Sequence, residues 1–195
     1  MPDRQPATRR TGAQTRAEAQ RIALELFSNQ GYEATSMQQV ADALGIRKAS
    51  LYYHFRGKDE IVRSLLEGRG DEARALARWV HEQTPSPTLA RDAVLRWVDS
   101  SSREKLRGIR FMNANPLLVG TVARRAGVDV GDELAAVLDA LLPHDADPRR
   151  RLLLRMAFMS LPAAVAAAEP GTPDEVTVAA ARAAAESLVA AAARP

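Results

Sequence analysis

Two short helical segments on either side of Gly45 constrain this sequence more than any other feature. Ser36 and Gln39 have the spacing of a capping box, which predicts a helix start, and Gly45 predicts its end. In the segment that follows, Leu51 and Phe55 lie four residues apart, so one face can pack on a core while the other stays polar and aromatic. Two short helices joined by a glycine-containing turn form a helix-turn-helix, and this segment therefore predicts that motif.

Helical periodicity continues through the rest of the chain. A first helix is predicted from Arg16 to Gly31, with apolar residues on one stripe at Ala19, Ile22, Ala23, Leu26 and Phe27. A longer helix opens near Lys58 and runs into the eighties, before the break at Pro85-Ser86-Pro87. Further helices are predicted over 88–105, 109–125, 130–142, 148–168 and 173–193. No segment alternates as a strand does, so the predicted fold class is all-α.

Charge is distributed unevenly along the chain. The net charge is +3, but residues 1–58 carry nine Lys and Arg against five Asp and Glu, whereas residues 59–195 carry eighteen against nineteen. The basic excess therefore coincides with the helix-turn-helix, where nucleic-acid contact is expected. An ordinary arginine-rich surface is the alternative explanation. Residues 1–15 contain almost nothing apolar and are predicted to be a disordered basic arm.

Several classes of protein and site are disfavoured by composition. The chain has no cysteine, which excludes disulfides and thiolate metal sites, and it has no apolar run long enough for a membrane span. We therefore expect a cytoplasmic protein with no membrane contact. No nucleotide-binding, hydrolase or zinc-protease motif occurs, so no catalytic residue, cofactor or metal is expected. His144 near Asp145 and Asp147 is interpreted as part of a solvated loop.

A family resemblance joins these observations. The blocks Gly31-Tyr32, Thr35-Ser36, Leu44-Gly45-Ile46 and Leu51-Tyr52-Tyr53-His54-Phe55 resemble, in order and spacing, the signature of the TetR (tetracycline repressor) family. The resemblance covers about residues 16–62 and implies a three-helix helix-turn-helix DNA-binding domain there. It also implies a helical ligand-binding and dimerisation domain over 63–195. Arg47 departs from the family's usual helix N-cap and adds a cation beside Lys48.

The expected activity is that of a DNA-binding transcriptional regulator. A helix that reads the major groove needs cations, hydrogen-bonding groups and flat apolar surface, which we assign to Arg47, Lys48, Ala49, Ser50 and Tyr52. The resemblance implies that phosphates are held by Thr35 or Ser36, Tyr53, His54 and Lys58. Three alternatives stay open: Tyr53 packs against the first helix, His54 is a capped surface imidazole, and Ser36 only caps its helix.

The last two predicted helices are assigned to a homodimer. A single half-site gives weak specificity, so helix-turn-helix proteins usually bind palindromic operator DNA as dimers. The segment from Leu152 to Leu161 is apolar on all sides, which predicts burial on two sides, and Pro162 is expected to kink or divide the helix. Small residues for close helix approach follow at Val176, Ala180, Ala183, Ala184, Ser187 and Ala191. A monomer surface rich in helix formers is the alternative.

A pocket for an unidentified small, apolar effector is predicted in the middle helices. Its candidate residues are Trp97, Phe111, Met112, Asn113, Asn115, Leu118, Val122, Met156, Phe158 and Met159. Ordinary core packing is the alternative for each of them. The resemblance implies a repressor that its ligand releases from DNA by favouring a second conformation, with the helix from Lys58 transmitting the change. A ligand-independent or architectural DNA-binding dimer, and an enzyme, are the rival functions.

Overall fold

The computed structural model describes residues 11–128 and 130–194, and it is all-α, as predicted. No strand occurs in these residues. The helices are α1 Gly12–Gln30, α2 Met37–Leu44, α3 Lys48–His54, α4 Lys58–His81, α5 Leu89–Asp99, α6 Arg103–Ala114, α7 Pro116–Ala126, α8 Val130–Leu141, α9 Pro148–Phe158, α10 Ser160–Ala167 and α11 Asp174–Ala192.

The start of α1 corrects the predicted disordered arm. Thr11 is the N-cap: its backbone N–H donates to Gln14 Oε1 (2.8 Å), and its Oγ1 accepts from the Gln14 backbone N–H (3.2 Å). This capping box satisfies amides that an uncapped helix start leaves without partners, so the helix begins at Gly12 rather than Arg16. Residues 12–15 are helical, and the rest of the predicted arm, residues 1–10, lies outside the described residues.

Two of the long predicted helices are divided by local signals. The segment 88–105 contains the end of α5 at Asp99 and the start of α6, where Ser102 Oγ accepts from the Lys105 backbone N–H (3.1 Å). The segment 109–125 is interrupted at Asn115, because Pro116 begins α7 and its nitrogen has no hydrogen to donate to α6.

The segment 148–168 is divided at Met159, three residues before Pro162. Proline has no N–H for the carbonyl four residues earlier, here that of Phe158, and its ring displaces that carbonyl. The Phe158 oxygen instead accepts a buried hydrogen bond from the indole N–H of Trp97 on α5 (3.1 Å). The Phe158 carbonyl therefore keeps a hydrogen-bond partner despite the break, and this hydrogen bond joins α5 to the end of α9.

The contacts divide the chain after Ile61 into two compact units. The N-terminal unit packs α1, α2 and α3 around side chains that include Ala19, Phe27, Val40, Leu51 and Phe55. In the C-terminal unit, α11 packs on α5, α9 and α10. Its core includes Trp97, Ile109, Val137, Leu154 and Phe158.

Candidate nucleic-acid interface

The turn between α2 and α3 is closed by backbone hydrogen bonds and a helix cap. Ser36 Oγ accepts from the Gln39 backbone N–H, and Gln39 Oε1 accepts from the Ser36 backbone N–H (2.7 Å), which completes a capping box at the start of α2. Gly45 ends α2 in the left-handed conformation (φ +72°), and the Ile46 N–H bonds to the Ala41 carbonyl (3.0 Å). This geometry holds α3 in a defined direction relative to α2.

Helix α3 is fixed from beneath by apolar and cationic contacts. Leu51 and Phe55 are fully buried. The Arg16 guanidinium carbon lies 4.1 Å from the centroid of the Phe55 ring, and Arg16 Nη1 donates to the His54 carbonyl at the end of α3. Sequence reasoning did not identify this role, because it depends on contact between α1 and α3 rather than on a local pattern.

The outer side of α3 carries the residues that the sequence assigns to the major groove. Arg47, Lys48, Ala49 and Ser50 are exposed, as is 43% of Tyr52. Lys48 Nζ lies 5.8 Å from the centroid of the Tyr52 ring, one helical turn along. A cation, a hydroxyl and an aromatic face are therefore presented together on one short helix.

Tyr53 and His54 extend this surface. One alternative was that Tyr53 packs against α1. Its side chain is 87% exposed, so it does not. Its ring meets the partly buried His54 imidazole edge to face, with centroids 5.3 Å apart. Ser36 is also exposed while it caps α2.

Two predicted phosphate contacts are instead engaged within the protein. Thr35 is 2% exposed, and its Oγ1 donates to the Gly31 carbonyl (2.8 Å) and accepts from Gln30 Nε2 (3.1 Å). Lys58 Nζ donates to the carbonyls of Tyr32 (2.6 Å) and Glu33 (3.3 Å). Both side chains hold the loop between α1 and α2, and their assignment to DNA stays a prediction.

The same loop is held by a tyrosine. The buried Tyr32 hydroxyl donates to Asp59 Oδ1, and the Tyr32 ring lies against that of Phe27, with centroids 5.0 Å apart. Burial raises the pKa of the Tyr32 hydroxyl above its usual value, and the Asp59 carboxylate raises it further.

Replacing Tyr32 with phenylalanine is expected to lower the free energy of unfolding by about 1–2 kcal/mol at neutral pH, because the hydrogen bond to a carboxylate is lost. An unfolded tyrosine ionises near pH 10, whereas the folded one stays protonated, so this stabilisation is complete below about pH 10 and is lost as the pH rises above it. Urea unfolding of both proteins between pH 7 and pH 11 measures the effect. A difference that does not shrink above pH 10 would contradict it.

Comparison with known proteins assigns this helix-turn-helix to a family. Residues 21–65, from within α1 to within α4, match the family model described as bacterial regulatory proteins, tetR family. The helix-turn-helix segment of this chain is therefore similar to that of the TetR family. The match includes every residue assigned to DNA, from Thr35 to Lys58.

Two curated relatives illustrate how far the likeness in sequence extends. The chain is 38% identical over 72 residues to the HTH-type transcriptional repressor KstR2 of Mycobacterium tuberculosis, a match that covers 37% of this chain and 36% of the relative. It is 29% identical over 143 residues to the HTH-type transcriptional regulator TcmR of Streptomyces glaucescens, covering 68% and 62%. The chain thus spans little more than a third of KstR2 and less than two thirds of TcmR.

A solved structure shows that the likeness in fold is more extensive than the likeness in sequence. GusR of Salmonella enterica superposes with a TM-score of 0.64 over 95% of this chain and 97% of that one, at 16% identity. The fold of this chain is therefore similar to that of GusR over nearly the whole length of both, although few residues are identical. Within the part of the chain that the structure describes, no helix is long and apolar enough to cross a membrane, and no cluster of metal-binding side chains is found.

The ten residues predicted to bind an effector are divided between core, loop and surface. Trp97, Phe111, Val122 and Phe158 are buried, and the Trp97 and Phe158 rings pack edge to face. Asn113 Nδ2 donates to the Pro162 carbonyl (3.0 Å), and Asn115 Nδ2 donates to the Phe111 carbonyl (2.8 Å). Met112 and Leu118 are partly buried, whereas Met156 and Met159 are exposed at the surface.

Of two cavities in the C-terminal unit, the larger lies beside this predicted set and the smaller includes one of its members, Trp97. The larger has a volume of about 590 Å³ and is lined by Leu66, Val119, Gly120, Ala123, Arg124, Gly127, Val128 and Asp132. It touches the neighbours of Leu118 and Val122 on α7. A smaller cavity of about 190 Å³ is lined by Trp97 with Glu72, Ala75, Leu76, Arg96 and Ser100.

Proposed function

We propose that this protein is a dimeric transcriptional repressor that binds palindromic operator DNA in the cytoplasm and is released from it by a small ligand. The observation that carries the proposal is the outer side of α3, where Arg47, Lys48, Ser50 and Tyr52 are exposed while Leu51 is fully buried. The family of the helix-turn-helix and the regulators among its relatives support a role in transcription rather than in catalysis.

The chemistry of α3 suits the major groove. The groove admits one helix, and base edges there present acceptors to Arg and Lys and a methyl group to apolar surface. We assign Arg47, Lys48, Ala49, Ser50 and Tyr52 to the bases, and Ser36, Tyr53 and His54 to phosphates. Thr35 and Lys58 are assigned to the loop that supports them, because their polar atoms already have partners there.

Dimerisation is supported by an apolar surface that α9 and α11 leave exposed. Leu152, Met156 and Met159 follow one another at helical spacing along α9 and its end, each about half exposed or more. On α11, Val176 is 55% exposed, and the small residues Ala180, Ala183, Ala184 and Ser187 are exposed too. A second copy of the chain that covers this face would form a four-helix interface.

Release by a ligand is supported by the 590 Å³ cavity, which lies within the range of small-molecule sites. Leu66 of α4 lines it, and α4 is the covalent connection between the two units. A ligand that prefers one of two dimer conformations would lower operator affinity by the ratio of its affinities for them. The rival function, a ligand-independent DNA-binding dimer, needs no such cavity.

The test is titration of the purified protein against the intergenic DNA upstream of its own gene, at several salt concentrations. We expect binding that is at least about a thousandfold tighter than binding to unrelated DNA, with a steep fall as salt is raised. Equal affinity for unrelated DNA would contradict the repressor. A compound that binds the protein should then weaken operator binding, and if no bound compound does so, the ligand-independent dimer is the better description.

A further inference from the structure

The larger cavity of the C-terminal unit contains one feature that an apolar effector does not explain. Four of its lining residues are aliphatic, namely Leu66, Val119, Ala123 and Val128, and Gly120 and Gly127 add no side chain. The remaining two described lining residues are a cation, Arg124, and a carboxylate, Asp132. The following inference rests on the proposed function, because it names the chemical class of the effector that this cavity would take.

The Arg124 guanidinium lies back along its own helix beside Gly120, although the residue as a whole is exposed. A Cβ placed on Gly120 would come within 3.4 Å of Arg124 Nη1, so the guanidinium occupies the space that a side chain at position 120 would fill. Arg124 Nη2 donates to Thr121 Oγ1 over a long 3.4 Å, and that hydroxyl already donates to the Leu117 carbonyl (2.8 Å). The guanidinium is thus set into the wall of the cavity at its glycine position.

Few of the hydrogen-bond donors of Arg124 are used within the described part of the protein. Among the described residues, no carboxylate lies within ion-pair distance of Arg124, in contrast to Arg74, Arg110, Arg151 and Arg182 of the same unit. A guanidinium has five N–H donors in a planar fork that matches a carboxylate, and its bonds to an anion are about twice as strong as neutral ones. In a partly apolar cavity, such a donor favours a negatively charged group over an uncharged one.

From these observations we propose that the effector is an amphipathic monocarboxylate: an apolar body on Leu66, Val119, Ala123 and Val128, with its carboxylate on Arg124. Asp132 limits the negative charge that the ligand can carry. It lies in the first turn of α8 and lines the same cavity, so a second negative charge on the ligand would meet its carboxylate. One anionic group is therefore accommodated and two are not.

The experiment uses three carboxylates, decanoate, 4-phenylbutyrate and 1-naphthaleneacetate, each paired with its primary amide, and measures binding to the full chain by calorimetry. The amide has nearly the shape of the acid but no charge. For the acids that bind, we expect at least tenfold tighter binding than for the matching amide. The Arg124→Gln variant should remove that preference, and Asp132→Asn should tighten acid binding by a few-fold. Gly120→Leu, which places a side chain where the guanidinium lies, should weaken acid binding and lower the acid-over-amide preference.

Arg125→Gln is the matched control, because Arg125 is the next residue of α7, is exposed and does not line the cavity. It should keep the acid-over-amide preference. The inference is overturned if no acid binds more tightly than its amide, or if Arg124→Gln and Arg125→Gln reduce the preference equally. Failure of the proposed function is distinguishable: acid binding that needs Arg124 but leaves operator affinity unchanged supports the site and contradicts the ligand-released repressor. Release from the operator by a compound whose binding does not depend on Arg124 supports the ligand-released repressor and contradicts the carboxylate site.

Discussion

Replacing Tyr52 with alanine is expected to weaken operator binding about a hundredfold while leaving the fold intact. Each good contact to a base is worth about 1–3 kcal/mol, and a two-fold dimer loses it in both half-sites. Tyr52 is 43% exposed, so its removal opens no cavity in the core beneath Leu51 and Phe55. Fluorescence anisotropy with labelled operator measures the change, and far-UV circular dichroism checks that the variant is folded.

Comparing Lys48→Ala with Tyr52→Ala distinguishes the contribution of a positive charge on α3 from that of an aromatic ring. Lys48 is exposed and charged and is assigned to the bases, so its removal should reduce the preference for operator over unrelated DNA and also lower the slope of log K against log salt by about two for the dimer. Tyr52→Ala should reduce that preference too but leave the slope unchanged. Arg150→Ala, which removes an exposed cation of α9, is the control and should change neither quantity. If all three variants bind operator as the wild type does, α3 is not the reading helix.

Replacing Met156 with aspartate is expected to convert the dimer to a monomer at micromolar concentration. Met156 lies between Leu152 and Met159 in the exposed apolar stripe of α9, at 46% exposure. In a two-fold interface, one substitution buries two carboxylates without partners, at a cost of several kcal/mol for each. The dissociation constant of the dimer should therefore rise by at least a thousandfold, as measured by sedimentation equilibrium. Operator affinity should fall with it, since each monomer reads one half-site.

Leu117→Asp provides a matched control for this substitution. Leu117 is more exposed than Met156, at 86%, but it stands at the start of α7, outside the α9 and α11 surface. Aspartate there should leave the dimer intact. A Met156→Asp protein that sediments as a dimer would mean that α9 faces solvent in the functional protein.

The side of α3 that we propose reads DNA could be predicted from the sequence because its signals are local. The Ser36–Gln39 capping box, the left-handed Gly45 and the spacing of Leu51 and Phe55 each act within one helical turn, and together they decide which side of α3 is exposed. Thr35 and Lys58 were assigned to DNA because residue type does not reveal the carbonyls of a loop that reach them through the fold.

The proposed effector cavity could not be predicted from the sequence, for a related reason. The sequence predicts large apolar residues around such a cavity, but Trp97 and Phe158 pack against each other in the core. The space lies instead beside residues that lack bulk, Gly120, Ala123 and Gly127, and the absence of a side chain leaves no hydrophobic pattern to detect. The helix break at Asn115 likewise came from a single position that does not interrupt the apolar periodicity on either side, whereas the break at Met159 was expected from Pro162.

The contacts of Trp97 make its fluorescence sensitive to small movements of the helices around it. Its indole donates to the carbonyl of Phe158, and its ring lies beneath the Arg69 guanidinium (4.5 Å) and the Lys105 ammonium (4.8 Å). The chain has one other tryptophan, Trp79, which is only partly buried and accessible to a dissolved quencher. With a quencher present, the remaining emission therefore comes from Trp97, which lies between α4, α5, α6 and α9. The wavelength of this emission depends on the distance of the Arg69 and Lys105 charges from the indole ring. A shift of α4 against α5 can be followed in solution through that colour change, without attaching a dye.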